Sequence, residues 1–136
     1  MKKTLLQLLI VPAIIFCIGS CSDKGGGGNG DEANLVVTLN PPAGSTQPAA
    51  PQIDFPLTVS ITSTMPPQGV TIDVKAAPDG SATNFFTESK SSTTVNNNFT
   101  ITGTPSGVVC VTTVTVTSKT KATNTVTLSY RYTRKP

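Results

Sequence analysis

Val108-Val-Cys-Val-Thr-Thr-Val-Thr-Val-Thr-Ser118 is the longest regular run in the chain, and its period is two. Cys110, Val114 and Val116 share one phase, and Thr113, Thr115 and Thr117 share the other. Successive side chains of a strand point to opposite faces, so this run predicts a strand with one dry side and one wet side. Val and Thr are stiff at χ1 and suit a pleated backbone better than a helix. No segment after residue 33 places apolar residues at i, i+3, i+4 and i+7, the spacing an amphipathic helix needs.

The same alternation repeats on both sides of this run. Leu35, Val37 and Leu39 alternate, then Phe55, Leu57, Val59 and Ile61, then Val70, Ile72, Val74 and Ala76. Asn84 to Ser89 reads as a short strand, and Ser89 to Thr94 as a polar loop. Val95, Asn97, Phe99 and Ile101 share a face on which Asn97 is the odd member; Val126, Leu128, Tyr130 and Tyr132 form the last strand. Turn signals separate the runs: Met65-Pro-Pro-Gln-Gly69, Pro78-Asp-Gly80, Gly103-Thr-Pro-Ser-Gly107 and Thr120 to Asn124. Pro41 to Pro51 is rich in Pro, Ala, Gly and Ser and is expected to stay out of any ladder, because Pro lacks the N–H donor. Six or seven short strands so spaced predict an all-β fold, one antiparallel β-sandwich over residues 33–136 in which every strand buries one face.

Phe99-Thr-Ile-Thr-Gly-Thr-Pro-Ser-Gly107, followed by Val114 and Val116, resembles the corner between the fifth and sixth strands of fibronectin type III domains. The resemblance implies an immunoglobulin-like sandwich. It covers about 20 residues, and the other strands match by pattern alone. The chain departs from the family in two ways: Cys110 stands where a Tyr is usual, and there is no Trp, which the family usually has in its second strand.

Ahead of the domain the sequence changes character. Lys2 and Lys3 precede an apolar run from Leu5 to Ile18, interrupted by Gln7 and Pro12. It is shorter than the roughly 20 residues of a membrane span and fits a secretory signal. The run ends in Ile18-Gly-Ser-Cys21, which resembles the bacterial lipobox. The resemblance implies cleavage between Ser20 and Cys21, removal of residues 1–20, and diacylglyceryl and palmitate-type acyl chains on Cys21. Such chains contribute about 0.8 kcal/mol per buried CH₂, enough together for a stable anchor. Ser22 resembles the residue that follows the cysteine in outer-membrane lipoproteins, and Ser22-Asp23 the start of the acidic surface-display signal of Bacteroidetes-like lipoproteins, which Lys24 interrupts. Residues 21–32, with Gly25-Gly-Gly-Gly-Asn-Gly30, read as a flexible tether with a typical reach on the order of 20 Å.

Composition then limits the chemistry. With Lys2 and Lys3 removed, eight basic residues face seven acidic ones, which argues against nucleic acid as a partner. The chain has no His, the commonest general base near neutral pH. Asp54, Asp73, Asp79 and Glu88 show no pairing of the kind glycosidases use. No catalytic residue is therefore expected, and no metal ligand set or cofactor beyond the lipid on Cys21. Cys110 shares phase with Val114 and Val116 and is expected to be a buried thiol.

The expected function is a non-catalytic binding or structural module of the bacterial cell envelope, held as a lipoprotein at the outer membrane, at its periplasmic face or on the cell surface. Its partner would be an envelope protein or a polysaccharide. The alternative is a surface glycan-binding or adhesion accessory protein using Phe85 or Phe86, one of which must face outward if the segment is a strand. A small hydrolase ranks third. The basic end, Arg131, Arg134 and Lys135, is a candidate for contact with anionic lipid or lipopolysaccharide, or else a solvated, frayed terminus.

Overall fold

A computed structural model describes residues 31–136; the expected signal segment, Ser20, Cys21 and most of the expected tether lie outside the described residues. Within them the alternating runs become seven strands: β1 (Val37–Asn40), β2 (Phe55–Ile61), β3 (Val70–Pro78), β4 (Phe86–Ser92), β5 (Asn96–Ile101), β6 (Val109–Ser118) and β7 (Thr125–Thr133). They build two antiparallel sheets, one ordered β1-β2-β5 and the other β4-β3-β6-β7. The chain changes sheet between β2 and β3, between β4 and β5, and between β5 and β6.

The register follows from burial. Val74 pairs with Val114 and Ile72 with Val116, so the apolar rows of β3 and β6 lie on one face. Leu57 pairs with Phe99 and Val59 with Asn97 in the other sheet. A slip by one residue would turn each row to water. The interior is Val, Ile, Leu, Ala, Phe and Tyr, with Val59, Val70, Ile72, Val74, Ile101 and Val116 fully buried. Fully burying one such side chain contributes about 1.5–3 kcal/mol.

Two polar residues are buried with their partners. Asn97 donates from Nδ2 to the Thr94 carbonyl and accepts from the Thr94 hydroxyl, which explains an amide in an apolar row. Asn124 accepts from the Leu35 N–H at 2.9 Å and donates to the Ala33 carbonyl at 3.0 Å and to the Glu32 carboxylate. Ser118 donates to the same carboxylate at 3.0 Å. The packed unit therefore engages Glu32, one residue ahead of the boundary at 33 drawn from composition.

The turns close as their residues require. In the β2–β3 connection, Gly69 N–H donates to the Pro66 carbonyl at 2.8 Å with φ of 77°. A Cβ there would stand 2.4 Å from the Ser92 carbonyl oxygen, so glycine is needed for space as well as for φ.

Several expectations are corrected. Pro41 to Pro51 does join a sheet. Gly44, Gln47 and Ala50 donate to the carbonyls of Ser129, Arg131 and Thr133, and Ser45 and Ala50 accept from Arg131 and Lys135. Thr46 thereby forms a parallel bridge to Arg131 of β7, and Ala50 one to Arg134 just beyond it. The prolines are accommodated because the residues between them supply the donors. Ser89 to Ser92 is strand rather than loop. β4 has no buried face at all: it is an edge strand, and Phe86 and Ser92 are only half-buried while the residues between them are exposed. Val95 precedes β5 and is 54% exposed, although it shares the phase of Phe99. The C-terminus is tied rather than frayed: Arg134 O accepts from Gly107 N–H, and Lys135 N–H donates to Ala50 O.

Candidate functional site

The register defines two ends of the sandwich. At one lie Glu32, the start of β1, and the connections Thr62–Gly69 and Lys119–Asn124. At the other lie Asp79 to Phe85, Gly103 to Val108, and the C-terminus.

Phe85 and Phe86 sit toward the second end. Phe85 N–H donates to the Ala76 carbonyl at 2.9 Å and Phe86 opens β4 opposite Ala76. Both rings pack against the core and both are half-buried. The expectation that one ring faces fully outward is not met, because β4 overhangs the edge of the core and leaves both rings at its margin.

Cys110 is fully buried on β6, its thiol donating to the Val108 carbonyl at 3.6 Å, and burial pushes its pKa up. A thiol so held is a poor nucleophile, since the thiolate is the reactive form. Directly across the ladder stands Tyr132, whose hydroxyl shares a 3.0 Å hydrogen bond with buried Thr104 in the β5–β6 corner. The tyrosine that secures this corner thus comes from β7, while position 110 holds a thiol. The alternation in β7 predicts that Tyr132 is buried, but nothing local in the sequence shows that its hydroxyl reaches Thr104.

Tyr132 also belongs to an aromatic group. Its ring centroid lies 4.5 Å from Phe55 and 5.9 Å from Tyr130, both in tilted contact. Burial, with the Thr104 hydrogen bond working against it, pushes the Tyr132 pKa up to about 12. Burial also raises Tyr130, partly offset by the neighbouring Thr112 hydroxyl, although neither hydroxyl has a partner at full hydrogen-bond geometry. Both phenols therefore stay protonated near neutral pH.

These rings floor a cleft of about 150 Å³, roofed by Pro41, Gln47 and Pro48 from the segment that crosses to β7. Sequence reasoning missed this cleft because it left that segment outside the fold. A second, shallow hollow of about 400 Å³ lies on the outer face of β3 and β6, among Asp73, Lys75, Thr113 and Thr115.

The carboxylates are not gathered. Asp79 pairs with Arg131 at 3.0 Å, Asp73 faces outward on β3, Glu88 is on edge strand β4, and Asp54 precedes β2. Arg134 reaches inward and donates to the Thr104 carbonyl at 3.0 Å, while Arg131, paired with Asp79, and Lys135 are the exposed cations of the basic end. Among the described residues no group of three or more His, Cys, Asp or Glu side chains is arranged to hold a metal ion.

No protein-family model matches this chain, nor does any curated protein or solved structure.

Proposed function

We propose that this chain is a lipid-anchored module of the bacterial cell envelope, of the outer-membrane lipoprotein kind. It carries an immunoglobulin-like, fibronectin type III-like domain that binds a partner or fills a structural place without catalysis. The observation that carries the proposal is the order of features before the domain: Lys2-Lys3, an apolar run ending at Ile18-Gly-Ser-Cys21, a Gly-rich stretch, then a packed unit that begins to engage at Glu32. The finer fold assignment is supported by the order β1-β2-β5 against β4-β3-β6-β7 and by the tyrosine hydroxyl that secures the corner before β6. The absence of His from the sequence supports a non-catalytic role.

The test is metabolic labelling with an alkynyl fatty acid in a bacterium with an outer membrane. Wild-type chain takes up label and sediments with membranes; Cys21→Ser takes up none and is released. A wild-type chain without label overturns the proposal. Protease shaving of intact and lysed cells then distinguishes surface from periplasmic display.

A glycan-capturing role is the second reading. It is favoured by Phe85 and Phe86, whose rings stay partly exposed at the end remote from Glu32, where a tethered domain would present them.

A further inference from the structure

We propose that β4 is the contact surface for a second copy of this chain, the two β4 strands pairing antiparallel about a two-fold axis at Ser89. The proposal concerns the folded domain alone and does not depend on the lipid at Cys21.

β4 ends the four-stranded sheet, and among the described residues nothing pairs with its outer edge. Phe86-Thr-Glu-Ser-Lys-Ser-Ser92 contains neither Pro nor Gly, so its outward N–H and C=O groups form an uninterrupted row. Such an edge accepts another strand unless something prevents it. Natural edges are protected by charges that point toward the core side of the sheet. Glu88 and Lys90 are of this kind. They lie opposite Val74 and Ile72, which are fully buried, yet both are exposed. Lys90 Nζ stands 5.7 Å from the Phe99 ring, and neither residue makes an ion pair among the described residues.

These two charges repel most strands, but not the strand's own two-fold copy. A two-fold axis normal to the sheet preserves its faces, so it must pass through a residue position. Centred on Ser89, it sets Glu88 against Lys90 of the second copy, twice, with Thr87 against Ser91 and Phe86 against Ser92. Centred one residue away, it sets Glu88 against Glu88 or Lys90 against Lys90. Directly opposed unlike charges stabilise a ladder and like charges destabilise it. One register is thus selected and its neighbours are rejected, the pattern expected of a specific self-contact. The joined sheet would have eight strands, and the half-buried Phe86 would lie at each end of the new ladder.

The experiment is sedimentation equilibrium of the chain from Ser22 onward across a concentration series, with Glu88→Lys, Lys90→Glu and the double reversal. Wild type dimerises reversibly. Each single reversal places like charges opposite one another and weakens the dimer at least about tenfold, equivalent to about 1.4 kcal/mol, while the thermal midpoint of the dilute monomer stays unchanged. The double reversal restores the wild-type affinity. A wild-type monomer at every concentration reached, a dimer that neither single reversal weakens, or a double reversal as weak as the singles overturns the proposal.

Discussion

Two edges of the four-stranded sheet meet the same problem and solve it differently. β7 is covered along its second half: the segment from Pro41 to Pro51 leaves β1, crosses to the other sheet and pairs with Ser129 to Thr133 through backbone bonds of 2.7 to 3.0 Å. β4 is uncovered and carries Glu88 and Lys90 on the side of the sheet that faces the core. From Ser129 onward the first edge is closed by backbone, so it admits no other strand there. The second is guarded by charge, which is selective: it depends on what is placed opposite. The comparison teaches that an edge strand with nothing covering it is not necessarily inert, and that the pattern of its charges defines which partner it tolerates.

The covered edge is where a substitution should cost most. Ala50→Pro removes the N–H that donates to the Thr133 carbonyl at 3.0 Å and leaves that carbonyl without its partner. Its expected cost is about 1–3 kcal/mol, read as a lower urea midpoint with little change in slope. Stability equal to wild type would show that the crossing segment merely lies along β7.

Next comes the aromatic group beneath that segment. Tyr132→Phe removes a hydroxyl that shares a buried hydrogen bond with Thr104, at an expected cost of about 0.5–1.5 kcal/mol. It also changes the response to alkali. The folded-state pKa of Tyr132 is raised to about 12 from an ordinary value of 10, chiefly by burial. Above pH 10 the unfolded chain loses the phenolic proton while the folded chain keeps it, so stability falls as pH rises toward 12. The contribution is fully present below pH 10. Tyr130 and Tyr132 are the only tyrosines in the chain, so tyrosinate absorbance reports on this region alone. In wild type its rise should coincide with unfolding, and in Tyr132→Phe the fall of stability with pH should be shallower. Tyrosinate forming near pH 10 in a chain that remains folded would contradict the buried placement.

The smallest effect belongs to the open edge. Lys90→Ala removes an exposed side chain with no ion-pair partner among the described residues, and the monomer should change by no more than about 0.5 kcal/mol. A larger loss would mean that the approach of Lys90 to the Phe99 ring contributes to the fold, and that the open edge is not only a guarded surface.

Much of the architecture was legible in the chain. β2, β3, β5, β6 and β7 carry their apolar rows at a period of two, and Gly69 and Gly80 fall in the turns with positive φ. The inward phase of Cys110 was legible for the same reason. What could not be read lies where burial and local pattern part company. β4 continues to Ser92 with no apolar row, because an edge strand that overhangs the core has no dry face to fill. Pro41 to Pro51 reads as non-strand by proline content, yet its pairing with β7 uses the donors of Gly44, Gln47 and Ala50. The cleft over Phe55, Tyr130 and Tyr132 followed that segment out of view. Phe85 and Phe86 were recognisable as candidates, but alternation alone could not place both at half burial.

The amino-acid sequence by itself determined the β class, the approximate strands and turns, and the order of charged, apolar, lipobox-like and Gly-rich segments ahead of them, because alternation, proline and glycine act on neighbouring residues. Only the tertiary structure decided which edge is covered, that Tyr132 reaches Thr104, that Asn97 is satisfied by Thr94, and that Glu88 and Lys90 stand on the core side of an open strand. Edge coverage and cross-sheet hydrogen bonds depend on which distant segments become neighbours, and a two-residue period carries no information about that.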